Sequence, residues 1–196
     1  MRKSGEERRV EIVQAVMELA AEDGAGQITA QAIADRVGIA QPTVFRHFRT
    51  RDHILEAVMA WIARHLLGIV SEIAAGSGSA EDRLKTLLER QLLFISRHRG
   101  LPRLLFSERL HTESTPLKQS VRRIMATYTS TVAGLIREGM EEGRFREDLD
   151  AEETAQMVLA LVQGLVMRWS ISDFDFPLED RSAALWRLLQ PALTRA

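Results

Sequence analysis

The stretch that most constrains this chain runs from Gln27 to His53 and reads as a helix, a glycine turn, a second helix and the start of a third. Thr29 is placed to cap the first of these helices. Ile33, Ala34 and Val37 fall on one of its faces, and Gly38 supplies the positive φ that ends it. Pro42 fits the first turn of the next helix, which has no intrahelical use for its missing N–H. Val44, Phe45 and Phe48 give that helix an apolar side, leaving Gln41, Thr43, Arg46 and His47 to point elsewhere. This is helix-turn-helix geometry, with the second helix free to enter a major groove, although a glycine-centred pair taken alone also describes an ordinary helical hairpin.

Charge separates these two readings locally. From Arg36 to Arg51 there are four arginines (Arg36, Arg46, Arg49, Arg51) and no acid, while the whole chain carries a net charge of only -1. A local basic segment is enough, because cations beside a groove-reading helix supply the phosphate attraction that dominates affinity.

The residues Thr29, Ala34, Gly38, Gln41-Pro42-Thr43, Phe45, His47, Phe48 and Arg51 resemble the DNA-binding domain of the tetracycline-repressor (TetR) family of bacterial transcription regulators. The run Gln-Pro-Thr-Val-Phe-Arg-His resembles the family's recognition helix most closely. What the resemblance implies is a surface that contacts bases and phosphates. Gln31 matches a position that reaches a base edge or a phosphate. Gln41 is placed to bond adenine bidentately, and Pro42 and the Thr43 methyl to pack on thymine methyls. Arg46 has the fork geometry for guanine or phosphate, and His47 and Arg51 match phosphate clamps. Phe45 stands where the family usually has Tyr, so a hydroxyl bond to phosphate is missing. Ala40 stands where a Ser often caps the recognition helix, a loss of roughly 1 kcal/mol. Arg51 replaces a usual Lys, keeping the charge but offering a planar fork.

A chain of 196 residues with 45% hydrophobic content can bury a substantial core. The absence of cysteine excludes disulfides and thiolate metal sites and fits a reducing cytoplasm. The N-terminal segment is interrupted by Glu11, Gln14 and Glu18, so it offers no signal-peptide core. The longest greasy stretch, Met157 to Met167, is about half of what a membrane span needs. No membrane partner is expected.

In chain order, residues 1 to about 6 read as a charged arm, from which Arg2 and Lys3 would touch a minor groove if the family's habit holds. Ile12, Val16 and Leu19 make a helical stripe from Glu7 to Asp23. Thr50 caps a long fourth helix whose periodicity runs from Ile54 to Ile73 and ends at Ala75-Gly-Ser-Gly-Ser79. Ser79 with Asp82 opens a fifth helix carrying Leu84, Leu87, Leu88, Gln91, Leu92, Ile95 and His98. A short helix from Leu101 to His111 follows. Another from Thr115 turns Leu117, Met125, Tyr128, Val132 and Ile136 inward. Asp150 with Glu153 opens a helix apolar nearly all round, with Val158, Val162, Leu165 and Trp169 on one side and Leu161, Gly164, Met167 and Ile171 on the other. A last helix after Pro177 places Leu185, Leu188, Leu189 and Ala192 on one face and Trp186 and Leu193 on another.

The expected architecture is therefore all-α, with about nine helices. A three-helix DNA-binding domain occupies residues 1-52, and a helical effector-binding and dimerisation domain occupies residues 53-196. A helix apolar on two faces needs a second partner, and a twofold homodimer supplies one. Leu161, Gly164, Met167, Trp186 and Leu193 are the expected seam. A symmetric dimer would set two recognition helices about one DNA turn apart or somewhat more on a palindromic operator.

Family resemblance further implies a small, largely apolar effector among the helices that start near Thr50, Ser79, Thr115 and Asp150. Gln91, His98 and Tyr128 interrupt apolar stripes, Trp61 and His65 share a row, and Met125 lies on the same helix as Tyr128. These residues either line a ligand cavity or bond to one another and to backbone. The five histidines show no metal-binding spacing, and no phosphate loop, nucleophile elbow or dinucleotide fingerprint occurs, so neither a metal nor a cofactor nor catalysis is expected. The chain reads as a cytoplasmic DNA-binding regulator, a repressor by the family's usual mode. The alternatives are a DNA-bound regulator or scaffold without a ligand and, from another class, an all-α enzyme.

Overall fold

The computed structural model describes residues 4-24, 26, 28-107 and 115-194. The expected roles of Arg2 and Lys3, and the end of the helix drawn to His111, lie outside the described residues. Within them all regular structure is helical: α1 (Gly5–Asp23), α2 (Ala30–Val37), α3 (Gln41–His47), α4 (Arg51–Ala74), α5 (Ala80–Ser96), α6 (Gly100–Leu105), α7 (Thr115–Glu141), α8 (Ala151–Ile171), a 3-10 turn (Glu179–Arg181) and α9 (Ser182–Leu193).

Short polar side chains start these helices. Thr29 Oγ1 accepts from the Ala32 N–H at 3.1 Å, Thr50 Oγ1 from His53 at 3.2 Å, Ser79 Oγ from Asp82 at 3.1 Å and Asp150 Oδ1 from Glu153 at 2.8 Å. At Ser79 the hydroxyl also donates to Asp82 Oδ2 at 2.6 Å, because the aspartate is too short to return the bond to backbone as a glutamate does. α1 begins earlier than the charged-arm reading has it. Ser4 Oγ accepts from the Glu7 N–H while the Glu7 carboxylate takes the Ser4 N–H, at 3.2 and 2.7 Å, so the box Ser4-Gly-Glu-Glu7 draws residues 5 and 6 into the helix.

The chain packs as two compact units. One holds α1 to α3, α4 to Ala63, α6, and α7 to Arg122. Its core is built on Ile12, Val16, Ala20, Ile33, Val44, Phe48, Val58 and Ile62, all buried. α6 lies hard against α1, where a Cβ on Gly100 would sit 1.9 Å from the Met17 carbonyl oxygen, so only glycine fits. Arg103 Nη1 donates to the Ala21 and Glu22 carbonyls at 2.9 and 3.2 Å, closing the C-terminus of α1. By packing, the N-terminal helices take in α4 as far as Ala63 and α6, not only residues 1-52.

The second unit holds the rest of α4, α5, the rest of α7, α8 and α9. α5 buries Leu84, Leu87, Leu88, Leu92 and Ile95, and with them Arg83. The charge is met, with Nε left without a hydrogen bond among the described residues: Nη1 donates to the Ala74 carbonyl at 2.6 Å, closing α4, and Nη2 pairs with Glu138 of α7. Its partners are 9 and 55 residues away in sequence, so no local pattern announces the burial. α8 turns Val158, Val162, Val166 and Trp169 inward, and Trp169 Nε1 donates to the Phe176 carbonyl at 2.8 Å.

Three sequence expectations are corrected here. α9 has one buried face, made of Leu185, Trp186, Leu189 and Leu193, while Leu188 and Ala192 face outward. The spacing 185, 186, 189, 193 is a single stripe at helical period, which the pairing of Leu185 with Leu188 had split across two faces. Met125 points outward rather than into the core. His98 lies in the turn after α5, which ends at Ser96, and its carbonyl accepts from the Leu101 N–H at 2.9 Å. The greasy stretch from Met157 to Met167 lies inside the longer helix α8 that Asp150 opens, as the capping box predicts. α4 and α8 both have the length and hydropathy to cross a membrane, but each buries one face in the protein, and α4 carries Asp52, Arg64 and Glu72 on its exposed side.

Candidate nucleic-acid interface

α2 ends at Gly38, which adopts the left-handed conformation at φ 70° and donates its N–H back to Ala34 and Asp35. The chain can then turn within three residues into α3. Pro42 sits in the first turn of α3, and Ala40, the residue at the N-cap, makes no side-chain bond. Val44 and Phe48 anchor α3 inward, both essentially inaccessible. Phe45, expected on the same apolar side, is 44% exposed instead. Residues 44 and 48 share a face at i, i+4, whereas 45 is a further 100° round and falls at the solvent edge.

The outer edge of α3 carries Gln41, Pro42, Phe45 and Arg46, all exposed, with Thr43 and His47 half-buried. Arg46 Nη2 donates to Thr43 Oγ1 at 2.9 Å, which fixes a guanidinium fork over the middle of the helix. Arg51 is half-buried at the start of α4, and Gln31 is exposed near the start of α2, where its amide donates to Asp35 Oδ1 at 2.7 Å. Beside the end of α3 a cleft of about 430 Å³ is lined by Arg9, His47, Phe48, Arg49, His53 and Glu56. The expected DNA-contacting residues thus line one helix-turn-helix and its flanks. The cleft brings Arg9 and His53 beside α3, together with Arg49, which the basic segment already includes.

Arg36 departs from the sequence reading. Its guanidinium reaches Glu18 and Glu22 of α1, with Nη1 at 3.2 Å from an oxygen of each. Its pKa is raised above the ordinary arginine value by the Glu22 hydrogen bond first and the Glu18 bond second. A cation already matched by two carboxylates has little charge left for phosphate, so the local basic segment is effectively Arg46, Arg49 and Arg51.

The six residues expected around an effector fall into pairs and singles. In the second unit the Tyr128 hydroxyl donates to Gln91 Oε1 at 2.7 Å, with the two side chains 1% and 3% exposed. Burial pushes the Tyr128 phenol above its ordinary pKa, and the Gln91 bond opposes that shift. In the first unit the Trp61 and His98 rings meet at 5.1 Å between centroids, tilted by 59°. His65 and Met125 are exposed.

On the outer face of α8, Met157, Leu161, Met167 and Ile171 are exposed, Ile171 to 71%, and a Cβ on Gly164 would meet nothing within 4 Å. On α9 the exposed large apolar side chain is Leu188, at 63%. Trp186 and Leu193, expected in a seam between subunits, are instead buried within the protomer at 7% and 2%.

Comparison with known proteins bears on this arrangement. Residues 12–58 match the profile of bacterial regulatory proteins of the tetR family, and residues 56–192 match that of the YsiA-like protein C-terminal region. Among curated relatives, the nucleoid occlusion factor SlmA of Vibrio atlanticus (strain LGP32) is 28% identical over 184 residues, 93% of each chain. Among solved structures, the transcriptional regulator FadR from Bacillus subtilis in complex with stearoyl-CoA superposes with a TM-score of 0.76 at 22% identity, covering 93% of this chain and 97% of that one. A TetR transcription regulator from Haloarcula marismortui ATCC 43049 superposes with a TM-score of 0.83 at 22% identity, covering 97% of this chain and 100% of the other. Both share the fold.

Proposed function

The chain belongs to the TetR family of bacterial regulatory proteins, and from that premise we propose that it is a homodimeric repressor of a palindromic operator, released by a small-molecule effector. As a member of this family it is a DNA-binding regulator of transcription. The observation that carries the finer reading is the outer edge of α3, where Gln41, Pro42, Phe45 and Arg46 are exposed together on a helix pinned from behind by Val44 and Phe48. Such an edge presents an amide and a guanidinium, the groups that pair bidentately with adenine and guanine. Residues 1-52 serve as the reading module and 53-196 as the effector and dimer module. We assign Gln41 and Arg46 to base edges, Pro42, Thr43 and Phe45 to thymine methyls and sugar, and Gln31, His47 and Arg51 to backbone phosphate.

The exposed apolar faces of α8 and α9 support a dimer through Leu161, Gly164, Met167 and Leu188, with Trp186 and Leu193 bracing them from inside. The stearoyl-CoA held by the B. subtilis regulator supports an effector with a long apolar part. Its binding would shift the population between two arrangements, and a tenfold loss of operator affinity needs about 1.4 kcal/mol of differential binding. The protein then works in the cytoplasm, on chromosomal DNA.

A second reading is a DNA-bound regulator or scaffold with no small-molecule ligand. The SlmA relatives, nucleoid occlusion factors by name, favour it, as does a Tyr128–Gln91 pair whose bond is already closed. Selection of bound duplexes from random sequence, followed by anisotropy, tests the shared core of both readings. Arg46→Ala and Gln41→Ala should each weaken binding to the selected operator by about ten- to a hundredfold and to random duplex far less. Equal loss on both would mean that these side chains touch phosphate only. Thermal-shift screening with acyl-CoA and other apolar ligands then separates sensor from scaffold.

A further inference from the structure

Left to itself, α3 is too short to hold its shape. It has seven residues and an N-cap with no side-chain bond, while isolated helices under roughly 12–15 residues are marginal in water. Val44 and Phe48 pin its inner side against the core, so the aim of its outer edge depends on what else grips its ends. Rotation is what aims Gln41 and Arg46.

The far end of α3 is fixed from α1. Arg9 Nη1 donates to the His47 carbonyl at 2.6 Å, one of the carbonyls that a helix end leaves without an intrahelical partner. The same guanidinium carbon lies 4.3 Å from the centroid of the Phe48 ring, over its electron-rich face. One planar cation therefore grips two consecutive residues at the end of the reading helix from 38 positions away. Lysine can donate the bond and bring its charge near the ring, but as a compact point charge it has no planar group to stack on the ring while bonding the carbonyl.

We propose that Arg9 is a positioning residue for operator readout, setting the rotation of α3 about its Val44 and Phe48 anchor. The proposal rests on the DNA-reading role assigned to α3. Loss of Arg9 then degrades the preference for operator over random duplex while leaving the number of phosphate contacts unchanged.

Anisotropy titrations across a range of salt, on the selected operator and on a random duplex of equal length, test this for wild type, Arg9→Met and Arg9→Lys, with thermal melts alongside. Arg9→Met keeps an apolar stem for Phe48 but has no donor and no charge. The expected result is an operator-to-random ratio about tenfold smaller in Arg9→Met at an unchanged salt slope. Arg9→Lys is expected to lose about threefold, recovering part of the ratio through its remaining donor. Two results overturn the proposal. Affinity for both duplexes can fall together with a salt slope shallower by about 0.9, which makes Arg9 a phosphate contact. Alternatively the ratio can hold while only the melting temperature falls, which makes Arg9 merely structural. If Arg9→Met does not fold, a full wild-type ratio in Arg9→Lys overturns it. A wild-type protein that prefers no sequence at all removes the DNA-reading premise itself, a failure visible before any variant is made.

Discussion

Tyr128→Phe and Gln91→Leu, separately and together, measure whether the polar pair inside the second unit is closed on itself. The Tyr128 hydroxyl meets Gln91 Oε1 at 2.7 Å where the side chains are 1% and 3% exposed, so the pair is shut off from bulk solvent. Removing one leaves the other buried without that bond, which costs about 1–3 kcal/mol. Removing both takes the polar atoms out as a set, and the double variant is expected within about 1 kcal/mol of wild type. The coupling between the two sites should therefore be about 2–3 kcal/mol. Urea titration followed by circular dichroism reads it, with an unchanged m-value confirming that the same surface is exposed. At about 2–4 °C per kcal/mol for a chain of this size, each single change should lower Tm by roughly 2–12 °C and the double by less than either. Additive losses would refute the reasoning, because they require a third group to satisfy one member of the pair. Such a group, water or ligand, would return Gln91 and Tyr128 to the list of effector contacts.

Other outcomes follow from the same contacts. Because burial raises the Tyr128 pKa, the folded state keeps a proton that the unfolded chain gives up near pH 10, so its contribution is full below about 10 and is lost as pH rises toward the folded value; alkaline melts of Tyr128→Phe should lack that part of the slope. Arg36→Gln should leave the salt slope of DNA binding where it is, since Glu18 and Glu22 already hold that guanidinium; a slope shallower by about 0.9 would show that it reaches phosphate. Leu188→Glu, at an exposed position, should leave the protomer folded by circular dichroism but shift sedimentation from dimer to monomer at micromolar concentration, and an unmoved dimer would place the seam elsewhere. Gly100→Ala drives a methyl into the Met17 carbonyl and should cost about 3 kcal/mol in urea melts, with a near-neutral result showing that α6 can lift from α1.

Residues 29 to 48 determined their own local structure in the sequence. Thr29, Gly38 and Pro42 act through backbone geometry and capping bonds that span three or four positions, so their consequences are written beside them. The buried stripes of α5 and α8 were equally evident, because helical period alone decides which residues share a face. What period does not decide is which face is inward when apolar residues occupy more than one. Phe45 and Leu188 proved to face solvent while Trp186 and Leu193 are inside, since burial depends on the neighbours that arrive from other helices. The same holds for charge. Arg36 lies in an acid-free run of sequence yet meets Glu18 and Glu22, Arg83 finds Glu138, and Arg9 finds the end of α3. In these ion pairs and this helix-end bond the partners stand 14 to 55 residues apart along the chain, a separation over which sequence carries no geometry and only packing can bring donor to acceptor.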